Sequence, residues 1–196
     1  LDDKSTAFEY ARRQFEIDPE RDDIWLRFEQ LGAKLNRWEI IEELFTLQSP
    51  LEGHDSPTRY DLLRHLAAIR EHQLQQTDRA LEAWERLHEY DPLDLPTLEA
   101  LERLYRKTAE FESLVRIIRA RAQLVELDED RIALFVEAGH LLANELQDDP
   151  EATELFQLVL SYEPDHEEAI EQLEVLLRRQ ERWFDLDELL SEQSNQ

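Results

Sequence analysis

Three acid-proline pairs, Asp18-Pro19, Asp91-Pro92 and Glu163-Pro164, stand 73 and then 72 residues apart, and no other feature of this chain constrains its fold as much. An aromatic followed three residues later by an aliphatic keeps the same step at Trp38/Ile41, Phe111/Leu114 and Trp183/Leu186. Between these markers Ala80, Trp84 and Tyr90 return after 72 residues as Ala152, Phe156 and Tyr162. Independent markers sharing one spacing identify an internal repeat, so the chain is built from copies of one supersecondary unit.

Each long period divides into two helical hairpins. Aromatic-led hairpins are expected over 22–47, 95–127 and 165–191, and alanine hairpins over 56–90 and 130–162, with 5–17 as the second helix of a further alanine hairpin. That arrangement predicts eleven helices, no strands, and a single array across 1–196. With three Gly, seven Pro and long breaker-free runs of Leu, Glu, Ala, Arg and Gln, the composition favours helix nearly throughout. Leu98, Leu101 and Tyr105, or Ile170, Leu173 and Leu177, recur at three and four and stripe one helix face apolar. A hairpin cannot bury two such stripes alone, and stacking hairpins resolves this. Ser56-Pro57 and Asp149-Pro150 are expected to cap and open helices, and Asp165 with Glu168 to form a capping box.

In these alanine hairpins the chain resembles the tetratricopeptide repeat family, whose second helix carries a small residue, an aromatic four later and a proline eight further on. Ala80, Trp84 and Pro92 fit, as do Ala152, Phe156 and Pro164. Ala68 stands where the family wants a small residue, with Gly139 one position early. Ile41, Leu114 and Leu186 depart from the family by replacing the small residue of the aromatic-led hairpins. The resemblance implies an all-α superhelix of stacked antiparallel hairpins, of the kind found in long acidic bacterial repeat proteins; nineteen Arg against three Lys accords with a GC-rich source. The stretch Ile24-Trp25-Leu26-Arg27-Phe28-Glu29 followed by Trp38 is also similar to the half-a-TPR repeats of RNA-processing scaffolds, but the other hairpins match that pattern poorly.

Catalytic chemistry finds little footing. Three scattered glycines (Gly32, Gly53, Gly139) make no phosphate-cradling loop, and no Gly-x-Ser-x-Gly elbow is present. Without Cys there is no thiolate ligand or cysteine nucleophile. Asp61, His65 and His72 share one predicted helix, but His72 lies about 10 Å further along the axis at ~1.5 Å per residue, too far to share one ion with the other two. No cofactor or metal is expected. The tryptophans Trp25, Trp38, Trp84 and Trp183 are read as hairpin-packing core. The breaker-rich segment 48–56 is read as a loop, either a tolerated insertion or a contact loop particular to this protein, whose counterpart, 121–129, should be helical.

No apolar run approaches the ~20 residues that span a bilayer. The formal charge of −25 repels nucleic acid and anionic membrane surfaces. Neither nucleic acid nor membrane insertion is therefore expected, and a cytoplasmic location is the default. Because the array opens on an unpaired second helix with the stripe Phe8, Ala11 and Phe15, either it continues beyond Leu1 or that helix finds cover in a second copy.

The family resemblance further implies that the first helix of each hairpin lines a concave groove holding a partner peptide or helix. The groove positions are then Arg27 and Lys34, Arg103, Arg106 and Lys107, and Arg178 and Arg179 on the aromatic-led hairpins. Those of the alanine hairpins are His65, Ile69 and His72, then Glu137, Leu141 and Asn144. Basic residues thus return on every second hairpin of an acidic chain, and with screening over about 8 Å a bound peptide feels them more than the distant total. The expected role is a non-enzymatic scaffold or adaptor. A docking or regulatory segment of a larger enzyme and an acidic binder of basic proteins are the alternatives.

Overall fold

The computed structural model describes residues 3–49 and 57–194, and among them every regular element is helical. They form two compact units, one ending at Asp91 and the other beginning at Pro92. The first holds α1 (Asp3–Ile17), α2 (Asp22–Lys34), α3 (Trp38–Gln48), α4 (Pro57–Ala68) with a π turn (Ile69–Gln73), and α5 (Thr77–Tyr90). The second holds α6 (Leu95–Thr108), α7 (Phe111–Ala122), α8 (Asp128–Leu141) with its own π turn (Leu142–Leu146), α9 (Asp149–Tyr162), α10 (Glu167–Arg179) and α11 (Trp183–Ser194). Within each unit, helices adjacent in sequence pack against each other. Ser56 and most of the 48–56 segment lie outside the described residues.

The repeat is written into the backbone. Among the described residues the five non-glycine residues with positive φ sit in hairpin turns: Asn36, Ala109 and Glu181 two residues before Trp38, Phe111 and Trp183, and Gln75 and Gln147 just before α5 and α9. Left-handed backbone is uncommon outside glycine, so its recurrence at matching positions marks equivalent turns. Their hydrogen bonds repeat too. Arg37, Glu110 and Arg182 donate their N–H groups to the carbonyls of Gly32, Tyr105 and Leu177 at 2.9, 3.0 and 2.9 Å. Gln76 and Asp148 reach back six residues to Arg70 and Leu142 at 2.8 and 2.9 Å, closing each π turn.

Local details differ from the sequence expectation by one residue. Asp148, not Asp149, caps α9 by accepting from Glu151 N at 3.1 Å, and His166 Nδ1, not Asp165, caps α10 by accepting from Ala169 N at 3.2 Å. The 121–129 segment is not continuously helical. α7 stops at Ala122, and the Arg131 guanidinium donates to the carbonyls of Ala122 and Val125 at 3.1 and 2.7 Å, holding the turn before α8. Fully buried Ala67, 72 residues before Gly139, is the small residue of the first alanine hairpin, while Ala68 is half-exposed. A Cβ at Gly139 would come within 2.8 Å of the Phe156 ring, so the close approach there requires glycine.

Packing explains which residues co-vary between equivalent positions. Trp84 donates Nε1–H to Glu71 at 3.1 Å; its equivalent Phe156 has no N–H, and the residue equivalent to Glu71 is Ala143. In the first unit Glu42 and Arg70 are both buried. The guanidinium bonds Glu42 Oε1 at 2.9 Å, Thr46 Oγ1 at 2.8 Å and the Arg79 carbonyl at 3.3 Å, while Arg79 also pairs with Glu42 at 2.8 Å. The equivalents of Glu42 and Arg70 are Val115 and Leu142, both buried. An ion pair in one repeat is thus an apolar contact in the next.

The stripe Phe8, Ala11 and Phe15 is covered within its own unit. Phe8 and Phe15 lie 5.1 and 5.5 Å from the Phe28 ring of α2, and Phe45 of α3 completes the cluster. Of the tryptophans, Trp25 and Trp84 are core and Trp38 is half-buried, but Trp183 is 60% exposed. The core reading of Trp183 is therefore corrected. α3 and α7 are each covered by a following helix, α4 and α8, whereas α11 is the last described helix.

Candidate functional site

Cross-hairpin pairs line the first helices. In the first unit His65 Nδ1 on α4 lies 2.8 Å from Glu29 on α2, and its ring stands edge-on to Trp25 at 4.7 Å. The residues equivalent to Glu29 and His65 are two carboxylates, Glu102 and Glu137. Arg106 bridges them, donating to Glu137 at 2.6 Å and to Glu102 at 2.8 Å. Partial burial alone would lower the Arg106 pKa, but the hydrogen bonds and attraction of Glu137 and Glu102 outweigh it and hold the value above that of a free guanidinium. Further along the unit His140 on α8 meets Glu168 on α10 at 2.8 Å.

Beside this bridge α6 and α7 enclose an open cleft of about 550 Å³ lined by Glu99, Glu102, Arg103, Arg106, Lys107 and Arg121. Four of these side chains are cations and two are carboxylates, so the lining is net positive in a chain of net charge −25. Arg103 and Lys107 come from the exposed stripe of α6, and Arg106 and Lys107 fall in its last turn, where cations complement the helix dipole. Arg121 reaches over from α7 and pairs with Glu102.

The structure therefore brings together Arg103, Arg106 and Lys107 of the sequence-predicted positions. The others are placed separately. Arg178 pairs with Glu174 at 2.7 Å along its own helix, and Arg179 pairs with Asp149 at the start of α9, also at 2.7 Å. Arg27 and Lys34 are exposed on α2, and His72 is exposed 3.9 Å from Glu71. Ile69 is only 3% exposed because it continues the buried stripe of Leu62 and Leu66 at four and then three residues, so it presents no surface to a ligand. Neither Arg121 nor Glu102 is among the sequence-predicted positions, because no local pattern separates them from the many other charged residues of their helices.

A second cleft of about 550 Å³ lies between α7, the second π turn and the start of α9, floored by Val115, Leu142 and Leu146 and crossed by the Arg119–Glu151 pair. Among the described residues no group of three His, Cys, Asp or Glu side chains is placed to hold a metal ion, and no helix is long and apolar enough to cross a membrane.

No protein-family model matches this chain, and no curated protein matches it either. Solved structures do. The Naa15/Naa10 complex bound to HypK-THB matches over 95% of this chain and 28% of its own, with a TM-score of 0.55 at 15% identity. YrrB, described as a TPR protein with an unusual peptide-binding site, matches over 86% of this chain and 82% of its own, with a TM-score of 0.49 at 16% identity. BtubC from P. vanneervenii matches over 98% and 87%, with a TM-score of 0.45 at 14% identity. At 15% identity the likeness to the Naa15/Naa10 complex is one of fold alone, and it agrees with the repeated turns, the buried alanine-aromatic pairs and the adjacent packing described above. This chain has a tetratricopeptide-like fold of helical hairpins.

Proposed function

We propose that the chain is a non-enzymatic protein-interaction scaffold that holds an acidic or amphipathic segment of a partner protein in the cleft between α6 and α7. The observation that carries this reading is the net positive lining of that cleft by Arg103, Arg106, Lys107 and Arg121. A carboxylate-bearing peptide meets planar guanidinium forks there, which bind carboxylates bidentately. The surrounding acid discourages nucleic acid and supplies selectivity against polyanions that cannot enter the cleft.

The test is the pair Arg103→Glu and Lys107→Glu, chosen to leave the Arg106 bridge between Glu102 and Glu137 intact. A labelled acidic amphipathic helical peptide is titrated against each protein and binding read by fluorescence anisotropy. The wild-type chain should bind it with an affinity that falls as salt rises, and the double variant should lose about tenfold or more with its helical circular dichroism unchanged. Equal binding by both proteins refutes the cleft as the site.

A further inference from the structure

We propose that a third cleft, between α9, α10 and α11, docks an aromatic side chain carried on a basic segment of a partner protein. The internal repeat supplies the control that makes this surface stand out. Helices α9, α10 and α11 correspond residue for residue to α1, α2 and α3, so each position can be compared with its equivalent.

In α1 to α3 the junction is filled by the rings of Phe8, Phe15, Phe28 and Phe45, all fully buried, with centroids 5.1 to 5.5 Å apart along the stack. The equivalent residues of α9 to α11 are Thr153, Leu160, Leu173 and Leu190. Here a cleft of about 340 Å³ is present, walled by half-buried Leu160 and Leu189 above the buried Leu173 and Leu177. The site thus holds apolar walls where the same backbone elsewhere accommodates phenyl rings.

The rim changes in step with the floor. Arg12, Arg13 and Glu16 of α1, and Glu39 of α3, become Gln157, Leu158, Ser161 and Phe184. In α1 Arg12 and Glu16 pair at 3.0 Å across one turn; in α9 both positions are uncharged and line the cleft. Phe184 is 82% exposed and lies one turn before Glu188, a cleft residue, on the same face of α11. Leu158, 37% exposed, lies one turn before Ser161. Four charges are lost around this cleft and one is gained, Asp185 in place of Ile40, in a chain where 35% of residues are charged. Such a local apolar gain marks a contact surface, since scattered exposed apolar residues carry no such pattern.

The remaining charge at the mouth selects the partner's flanks. Asp185 and Glu188 both line the cleft; Arg182 pairs with Asp185 at 2.5 Å, leaving an acidic excess. An aromatic anchor flanked by Lys or Arg therefore satisfies floor and rim together. This surface shares no residue with the cleft of α6 and α7, so either site can fail while the other stands.

The experiment pans a displayed library of short random peptides against the wild-type chain. The recovered peptides are then measured by calorimetry on three variants. Leu160→Phe with Leu173→Phe fills the cleft as α1 and α2 fill theirs, and should melt no lower than wild type. Phe184→Glu restores the charge of Glu39. Recovered peptides should carry an aromatic beside Lys or Arg and lose about tenfold in affinity on both variants, ~1.4 kcal/mol. Arg103→Glu with Lys107→Glu should leave them unaffected. Peptides without an aromatic, equal binding to the filled variant, or failure to recover any peptide overturns the proposal. So does a wild-type dimer in sedimentation that Phe184→Glu dissociates, which would make the occupant a second copy.

Discussion

Transplanting residues between equivalent positions gives a sharp test of what the buried ion pair contributes. Glu42→Val with Arg70→Leu writes the second unit's Val115 and Leu142 into the first unit. Glu42→Val alone leaves the Arg70 guanidinium buried with only Thr46 and the Arg79 carbonyl as bonded partners among those described above, and breaking a buried pair in this way costs about 3–5 kcal/mol. Arg70→Leu alone should cost less, about 1–3 kcal/mol, because Glu42 keeps its 2.8 Å pair with Arg79, half of which reaches solvent. The double variant should return to within about 1 kcal/mol of wild type, since replacing a buried pair by apolar residues is near neutral or stabilising. The singles sum to about 4–8 kcal/mol, so the cycle predicts a coupling of roughly 3–9 kcal/mol between the two sites. Urea unfolding followed by tryptophan fluorescence reads it out directly, because Trp25, Trp38 and Trp84 all lie in the first unit and Trp183 alone in the second. A double variant as unstable as the sum of the two singles refutes the reasoning.

Trp84→Phe removes the hydrogen bond to Glu71 and should cost about 1–2 kcal/mol; Glu71→Ala should cost less in that background than in wild type, a difference measurable by the same unfolding cycle. Ala109→Gly relieves a left-handed alanine at φ 59° that ends α6, and should raise stability by about 1 kcal/mol in thermal melts. Gly139→Ala sets a Cβ against the buried Phe156 ring, and the overpacking should outweigh the helix-propensity gain of about 1 kcal/mol, lowering the melting temperature.

The hairpins were legible because their signals lie in local chemistry repeated at one spacing. Where two neighbours have equal capping chemistry, as Asp148 and Asp149 do, local chemistry cannot choose between them, and the helix start shifts by one residue. The π turns and left-handed Asn36, Gln75, Ala109, Gln147 and Glu181 carry no glycine to announce them; their conformation is imposed by the hairpin's tertiary closure. Arg103, Arg106 and Lys107 could be found from helix position alone, since they share one exposed stripe. Arg121 and the Glu42–Arg70 pair could not, because they meet their partners only through the packing of one helix on its neighbour, which no local pattern specifies.

Differences between equivalent residues sort into two kinds, and the sorting bears on function. Trp84 with Glu71 becomes Phe156 with Ala143, and Glu42 with Arg70 becomes Val115 with Leu142. In both cases the change on one helix is answered on its neighbour, so packing accounts for it. The exchange of Arg13 for Leu158 and of Glu39 for Phe184 has no such answer, because both new side chains point to solvent. An unanswered gain of exposed apolar surface confers no benefit on an isolated fold and raises the risk of aggregation. A partner that covers Leu158 and Phe184 supplies that answer; the positions of α3 and α7 equivalent to Phe184 hold exposed Glu39 and Glu112, charged side chains that need no cover.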